Sequence, residues 1–191
     1  NDTWNMSRLH FHDHFEFLLP LTSPGNIFVN DQVYPLQRGT LYLIGENTLH
    51  RTMATGFHAR YILHISRKAL DQLSTPQTDF TQLTHDSFRR ANLNAEEMTD
   101  LIELFQALER NKNDGSFGSD IHQMTALLNL LVYVAPALNA ATERFLTRFE
   151  RMEALARERN LDFVSLSLDD KDDLWNEVKA AEKPGTEKTE D

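Results

Sequence analysis

Apolar and polar positions alternate over the first third of the chain and change to a period near four after residue 66. Residues 10–17 read HFHDHFEF. In an extended strand alternate side chains share a face, which sets His10, His12, His14 and Glu16 on one side and Phe11, Phe15 and Phe17 on the other. Strand twist at an end predicts that His14 turns outward, as a bystander. Further β-prone runs lie at 26–29 and 32–36, on either side of the hairpin turn Asn30-Asp31. Gly39 precedes a run at 40–44, Gly45-Glu46-Asn47 turns the chain into 49–53, and Thr55-Gly56 turns it into 61–65. Short strands at this spacing predict an antiparallel sandwich or barrel.

Residues 66–73 predict a short helix, and 74–93 reads as mixed, loop-like chain. Asn94 with Glu97 three residues on forms a capping box. Behind it, Met98, Leu101, Ile102, Leu104, Phe105 and Leu108 lay one apolar stripe along a helix. The stretch NKNDGSFG is a loop, and Ser119 opens a second helix carrying Ile121, Met124 and Val134. So short a loop predicts an antiparallel hairpin. Leu127, Leu128, Leu130, Leu131 and Val132 cover more than one side of the second helix, so part of that surface is expected to meet another chain.

The pattern shifts again near Leu138. Residues 141–159 are highly charged, with Phe145, Phe149, Met152 and Leu155 at helical spacing. Ser167 with Asp170 opens a last helix containing Leu174, Trp175 and Val178. These two helices, divided near 160–167, are expected to bury Phe145, Phe149 and Met152 against Leu174 and Trp175. The acidic run DDKDD sits at a helix start, where carboxylates offset the positive end of the dipole. The polar end, KPGTEKTED, is expected to be disordered from residue 184 onward. No internal repeat is visible.

Composition narrows the function. Twelve Phe and 40% apolar residues in a chain of 191 support a real core. The formal net charge of -10 argues against a broad electrostatic grip on duplex DNA or an anionic membrane. With no cysteine, disulfides, thiolate catalysis and Cys-ligated zinc are excluded. No leader segment is visible, and the longest apolar run, at 126–138, is interrupted by Asn129 and Pro136. A cytoplasmic protein without membrane contact is expected.

The chemistry concentrates in four residues. His10, His12 and Glu16 have the spacing HxHxxxE, and His50 opens a later strand after the turn GENTL. Imidazole and carboxylate suit Zn, Fe(II), Ni or Mn, and three of the former with one of the latter fill a first shell with positions to spare. The same groups can instead hydrogen-bond an organic ligand or simply line a barrel mouth. On the strand at 61–65 and the residue before it, Arg60 and His64 share one face, here assigned to the lumen as further pocket groups, with Arg60 as a plain surface charge the alternative.

HxHxxxE, then VNDQVYPLQRGTLYLI, then GENTLHR, resembles the cupin barrel, and in particular the amino-terminal sensor domain of AraC-type transcription regulators. The resemblance covers residues 8–65, and the hairpin at 94–135 fits the same family's dimerisation region, to about 138. It implies a jelly-roll barrel that binds a small effector and signals to a DNA-binding helix-turn-helix domain. After Leu138, however, nothing reads as tandem helix-turn-helix units. Residues 144–183 resemble instead the carboxy-terminal tail of MazG-type nucleoside triphosphate pyrophosphohydrolases, through RFERME and the late LW-x-E-x-K. The ExxE and ExxD helices of that enzyme are missing: Glu96-Glu97 before Asp100 has no partner helix. A fusion accounts for two such unlike halves.

The expected architecture is therefore mainly β plus α. A cupin-like barrel at 1–66 is followed by a helical part at 67–138 with the dimerisation hairpin, then two further helices at 139–183. The leading functional expectation is an effector-sensing, dimerising module that does not bind DNA by itself, with His10, His12, Glu16, His50, Arg60 and His64 around the ligand. A metal-dependent cupin enzyme, of dioxygenase or isomerase type, would use His10, His12, Glu16 and His50 on one divalent transition metal. A non-catalytic assembly module is the third possibility.

Overall fold

The computed structural model describes residues 8–23, 25–112 and 115–181. The polar end from 184 lies outside the described residues. Two antiparallel sheets come first and helices follow. One sheet has the order β6-β1-β4-β7, the other β3-β2-β5. The strands are β1 (Phe15–Pro20), β2 (Gly25–Val29), β3 (Gln32–Pro35), β4 (Thr40–Ile44), β5 (His50–Ala54), β6 (Arg60–Ile65) and β7 (Phe88–Asn92). Asn30 adopts a left-handed φ of 54° in the two-residue turn between β2 and β3, a conformation its short side chain tolerates. At Gly25, with φ 137°, any side chain would collide with the Met53 carbonyl across the strand pair.

β1 is buried on both faces, which is why FEFLLP reads as a nearly continuous apolar run. Leu18 joins Ile27, Val29, Leu36, Tyr42 and Ile44 in a core drawn from both sheets. Phe15, Phe17 and Leu19 face the other way, into a second core with Met98, Leu101, Phe105, Leu130 and Leu131. Each large side chain so buried contributes roughly 1.5–3 kcal/mol.

The helices are α1 (Arg67–Leu73), α2 (Ala95–Asn111), α3 (Ser119–Glu158) and α4 (Leu168–Ala181), with a 3-10 turn at Phe80–Thr84. Ser66 caps α1 through the Ala69 N–H. Both halves of the Asn94–Glu97 capping box form, at 2.9 and 2.7 Å. The Tyr133 hydroxyl on α3 donates to Asp100 on α2 at 3.1 Å, which fits the antiparallel hairpin.

Three expectations need correction. The first strand begins at Phe15 rather than at residue 10: His10 makes only an isolated bridge to His50, and the chain bends at Asp13-His14. Residues 74–93 are not all loop, because β7 pairs along β4 and carries the sheet beyond residue 66. Its buried positions are Arg89 and Ala91, so no apolar alternation marks it. The Arg89 guanidinium donates to Asp86 at 2.9 Å, to Asn139 of α3 at 2.7 Å and to the Gln82 carbonyl at 2.9 Å. Third, the second helix of the hairpin does not stop at residue 135; α3 runs through Pro136 to Glu158. Pro136 removes the donor for the Val132 carbonyl, and Val132 is exposed, so water can replace it. By length and composition α3 is also apolar enough to cross a membrane, but its Leu130, Leu131, Val134 and Leu138 are buried in the core.

The chain divides into two compact units, Asn1–Ala141 and Thr142–Asp191. In the second, Met152 and Ala156 of α3 pack on Leu174 and Val178 of α4. Phe145 and Phe149 stay largely exposed, although their rings approach Trp175 and Phe163 at 5.4 and 5.3 Å. The Ser167 hydroxyl accepts from the Asp170 N–H at 3.1 Å, with Asp169 and Asp170 in the first turn of α4.

Candidate functional site

Strand register builds the site. Glu16 lies on the face of β1 that also carries Leu18, opposite His64 on β6 and Ile44 on β4. Its carboxylate is 3% exposed, and the His64 Nε2 stands 2.9 Å from Oε2. His50 opens β5 and is fully buried. Two backbone hydrogen bonds, of 3.1 and 2.9 Å, hold His10 beside it. The arm then carries His12 to 3.3 Å from the same Glu16 oxygen. The bend at residue 13 lays the His14 ring flat on His12, at 3.9 Å and 9°. Ring centroids of His10 and His50 are 4.2 Å apart, and those of His14 and His64 4.3 Å.

Hydrogen bonds fix two tautomers. The Nδ1 atoms of His12 and His50 each lie 2.8 Å from a backbone carbonyl, of His14 and Thr48 respectively. A carbonyl only accepts, so each Nδ1 carries the hydrogen. Both rings therefore turn Nε2 toward Glu16, at 3.3 Å from His12, within hydrogen-bond reach, and at 3.9 Å from His50. The His50 Nε2 has no hydrogen-bond partner among the described residues. Burial pushes the pKa of His50 down; the Thr48 carbonyl and the Glu16 charge act in the opposite sense, and His10 and His12 reinforce the depression. Carbonyl acceptors behind imidazoles are the usual support of metal-binding histidines. Two trios, His10–His12–His50 and His12–His14–His64, have ring nitrogens within 4.8 Å of one another.

The structure thus brings His10, His12, Glu16, His50 and His64 together. Arg60 shares the face of His64 but pairs with Pro20, four residues further along, or roughly 13 Å by strand rise. Burial lowers the Arg60 pKa while the Glu16 charge raises it. His14 is the residue that the strand-twist argument misassigned, although parity had set it with the others. The outward turn assumed an unbroken strand; the bend instead folds His14 onto His12. The signal was present in the H-x-H-x-H spacing itself.

A two-sheet β domain with a His–Glu cluster around the buried Glu16 and His50, and a helical hairpin behind one sheet, is the class this fold and site define. No family model matches the chain, and no curated protein matches it. Among solved structures it is similar to apo ToxT from Vibrio cholerae strain SCE256, in a single-substitution variant, at 11% identity and TM-score 0.44, covering 94% of this chain and 65% of that one. Wild-type ToxT with bound unsaturated fatty acid gives 14% and 0.44, over 94% and 59%. The AraC-like transcriptional activator CuxR gives 13% and 0.42, over 79% and 58%. The chain therefore spans 58% to 65% of the length of these three structures.

Proposed function

We propose that this chain is the small-molecule-sensing and dimerisation part of an AraC-type transcription regulator of the cytoplasm, built on a cupin-like barrel. One observation carries the reading. β1 presents Glu16 to the polar cluster on one face and Phe15, Phe17 and Leu19 to the α2–α3 core on the other. An effector that engages His10, His12, Glu16, His50 and His64, with Arg60 along the same strand face, pulls on a strand whose reverse side is the floor of the hairpin. Ile121, Met124 and Val132 are exposed on α3 and form the homodimer surface. In this reading the chain is not an enzyme, and its net charge of -10 argues against an unaided grip on duplex DNA. Residues 144–183, resembling the MazG tail, are a fused, non-catalytic segment.

The test is a metabolite screen by melting temperature. A compound at a hundred times its Kd adds about 2.7 kcal/mol. The hit should lose its effect in Glu16→Ala and should change hydrogen exchange in α2 and α3. A hit indifferent to Glu16, or one that leaves the hairpin unchanged, overturns the proposal. Met124→Asp with Val132→Asp should yield monomers in sedimentation; an unchanged state refutes the dimer surface.

The carbonyl-held Nδ1 atoms of His12 and His50, which turn both Nε2 atoms toward Glu16, favour a second reading, a metal-dependent cupin enzyme with one divalent ion on His10, His12, Glu16 and His50. Stoichiometric metal that is lost in His10→Ala, together with turnover of a small organic substrate, selects it.

A further inference from the structure

We propose that the mouth of the cluster is a distinct transition-metal site, built from His12, His14 and His64 with the Glu16 carboxylate. The inference stands on these side chains and does not depend on the sensor reading. Donors on one tetrahedral ion, bound at about 2.0–2.2 Å, stand about 3.3–3.5 Å apart. Around Glu16 Oε2 the His12 and His64 Nε2 atoms are already at 3.3 and 2.9 Å, whereas the His50 Nε2 is at 3.9 Å. The ring nitrogens of His12, His14 and His64 all lie within 4.8 Å of one another, so small side-chain rotations close the set.

Orientation supports the same assignment. The His14 Nδ1 lies 3.3 Å from the Asp13 carboxylate, which can only accept from it. The His14 Nε2 consequently presents a lone pair, and it is buried with no hydrogen-bond partner among the described residues. A carboxylate behind one imidazole and a backbone carbonyl behind another is the arrangement that holds ligands toward a metal. Histidines that merely stacked on a surface would have their free nitrogens in water. The His64 side chain is 49% exposed, which leaves the ion an entry path and a position for water or an anion.

Three imidazoles and a carboxylate, without sulfur, suit Zn(II), Ni(II), Co(II) or Cu(II) and are poor for Cu(I) or Ca(II). His12 can offer an ion only its Nε2, because its Nδ1 hydrogen is committed to the His14 carbonyl. An ion at the mouth and an ion on the His10–His12–His50 trio therefore compete for the same atom. That exclusivity makes the two sites separable by mutation.

The full chain, stripped with chelator, is titrated with Zn(II) by calorimetry and with Co(II) by absorption. The proposal expects one ion per chain and visible Co(II) bands of an N/O site. His14→Ala and His64→Ala should each weaken binding at least tenfold, Asp13→Asn should weaken it less, and His10→Ala should leave it within about twofold. Melting curves of the metal-free variants check that they fold, which these partly exposed positions permit. No binding overturns the site, as does binding that survives in His14→Ala and His64→Ala but is lost in His10→Ala. The metabolite screen on metal-free protein tests the sensor reading separately, so either idea can fail alone.

Discussion

Arg89→Met keeps an apolar stem in the interior of the β7–α3 region and removes the guanidinium that binds Asp86, Asn139 and the Gln82 carbonyl. Asp86 is 45% exposed and can turn to water. The Gln82 carbonyl and the Asn139 side-chain oxygen lose a charged donor, at about 1–3 kcal/mol for each acceptor left unsatisfied. Relief of the desolvated guanidinium returns part of that, so the expected net loss is about 2–4 kcal/mol. In urea, where m is about 1–3 kcal/mol/M, a loss of 3 kcal/mol lowers the midpoint by roughly 1–3 M at unchanged slope. Arg89→Lys should recover less than half of it, because an ammonium cannot span three acceptors set around a planar fork. The assay is urea unfolding followed by circular dichroism, with hydrogen exchange in β7 as the local probe. If Arg89→Met falls within about 0.5 kcal/mol of the parent, as surface changes do, the bonding argument is wrong.

His58 gives a pH prediction. Burial and, behind it, the Arg60 charge lower its pKa. Above the unfolded value of about 6.5 the ring is neutral in both states; below it the unfolded chain takes up a proton that the native state resists, so stability falls as pH drops through that window. Urea midpoints at pH 8 and pH 5 should diverge more for the parent than for His58→Leu, and equal divergence refutes the assignment. Asn94→Ala removes the α2 capping box and should cost about 1 kcal/mol; an unchanged melting temperature counts against it. Leu174→Ala opens the small Met152–Ala156–Leu174–Val178 core and should cost about 2–5 kcal/mol, read as faster amide exchange across α4. Slow exchange in that variant would mean the helix is held by something else.

The elements that were legible carried local signals strong enough to outvote their surroundings. The β2–β3 turn is written in Asn30-Asp31, and the starts of α1 and α2 in Ser66 and Asn94, whose side chains satisfy the first free N–H groups themselves. β7 was illegible because its identity comes from a partner: β4 supplies the ladder, and the buried slot at Arg89 is made tolerable only by Asp86, Gln82 and Asn139. Pro136 misled because an internal proline opposes a helix locally, while Val134 and Leu138 on either side of it are held in the core. Of the site, residue types and the Glu16–His64 face were readable from spacing. The bend at Asp13 was not, because it follows from His10 docking on His50 across the fold.

The late strand β7 also decides where this protein can be cut. β4 lies between β1 and β7, so the fragment ending at residue 66 that the early β pattern invites would strip one whole edge from TLYLI. Those five residues are β-prone, uncharged and free of proline, and their backbone donors and acceptors would face outward in register. That is a template for chain-on-chain strand addition. Such a fragment should precipitate or form fibrils that bind amyloid dyes. A boundary placed after Asn92 keeps the edge sealed, and soluble, monomeric behaviour of the shorter piece would show that β7 is dispensable to it.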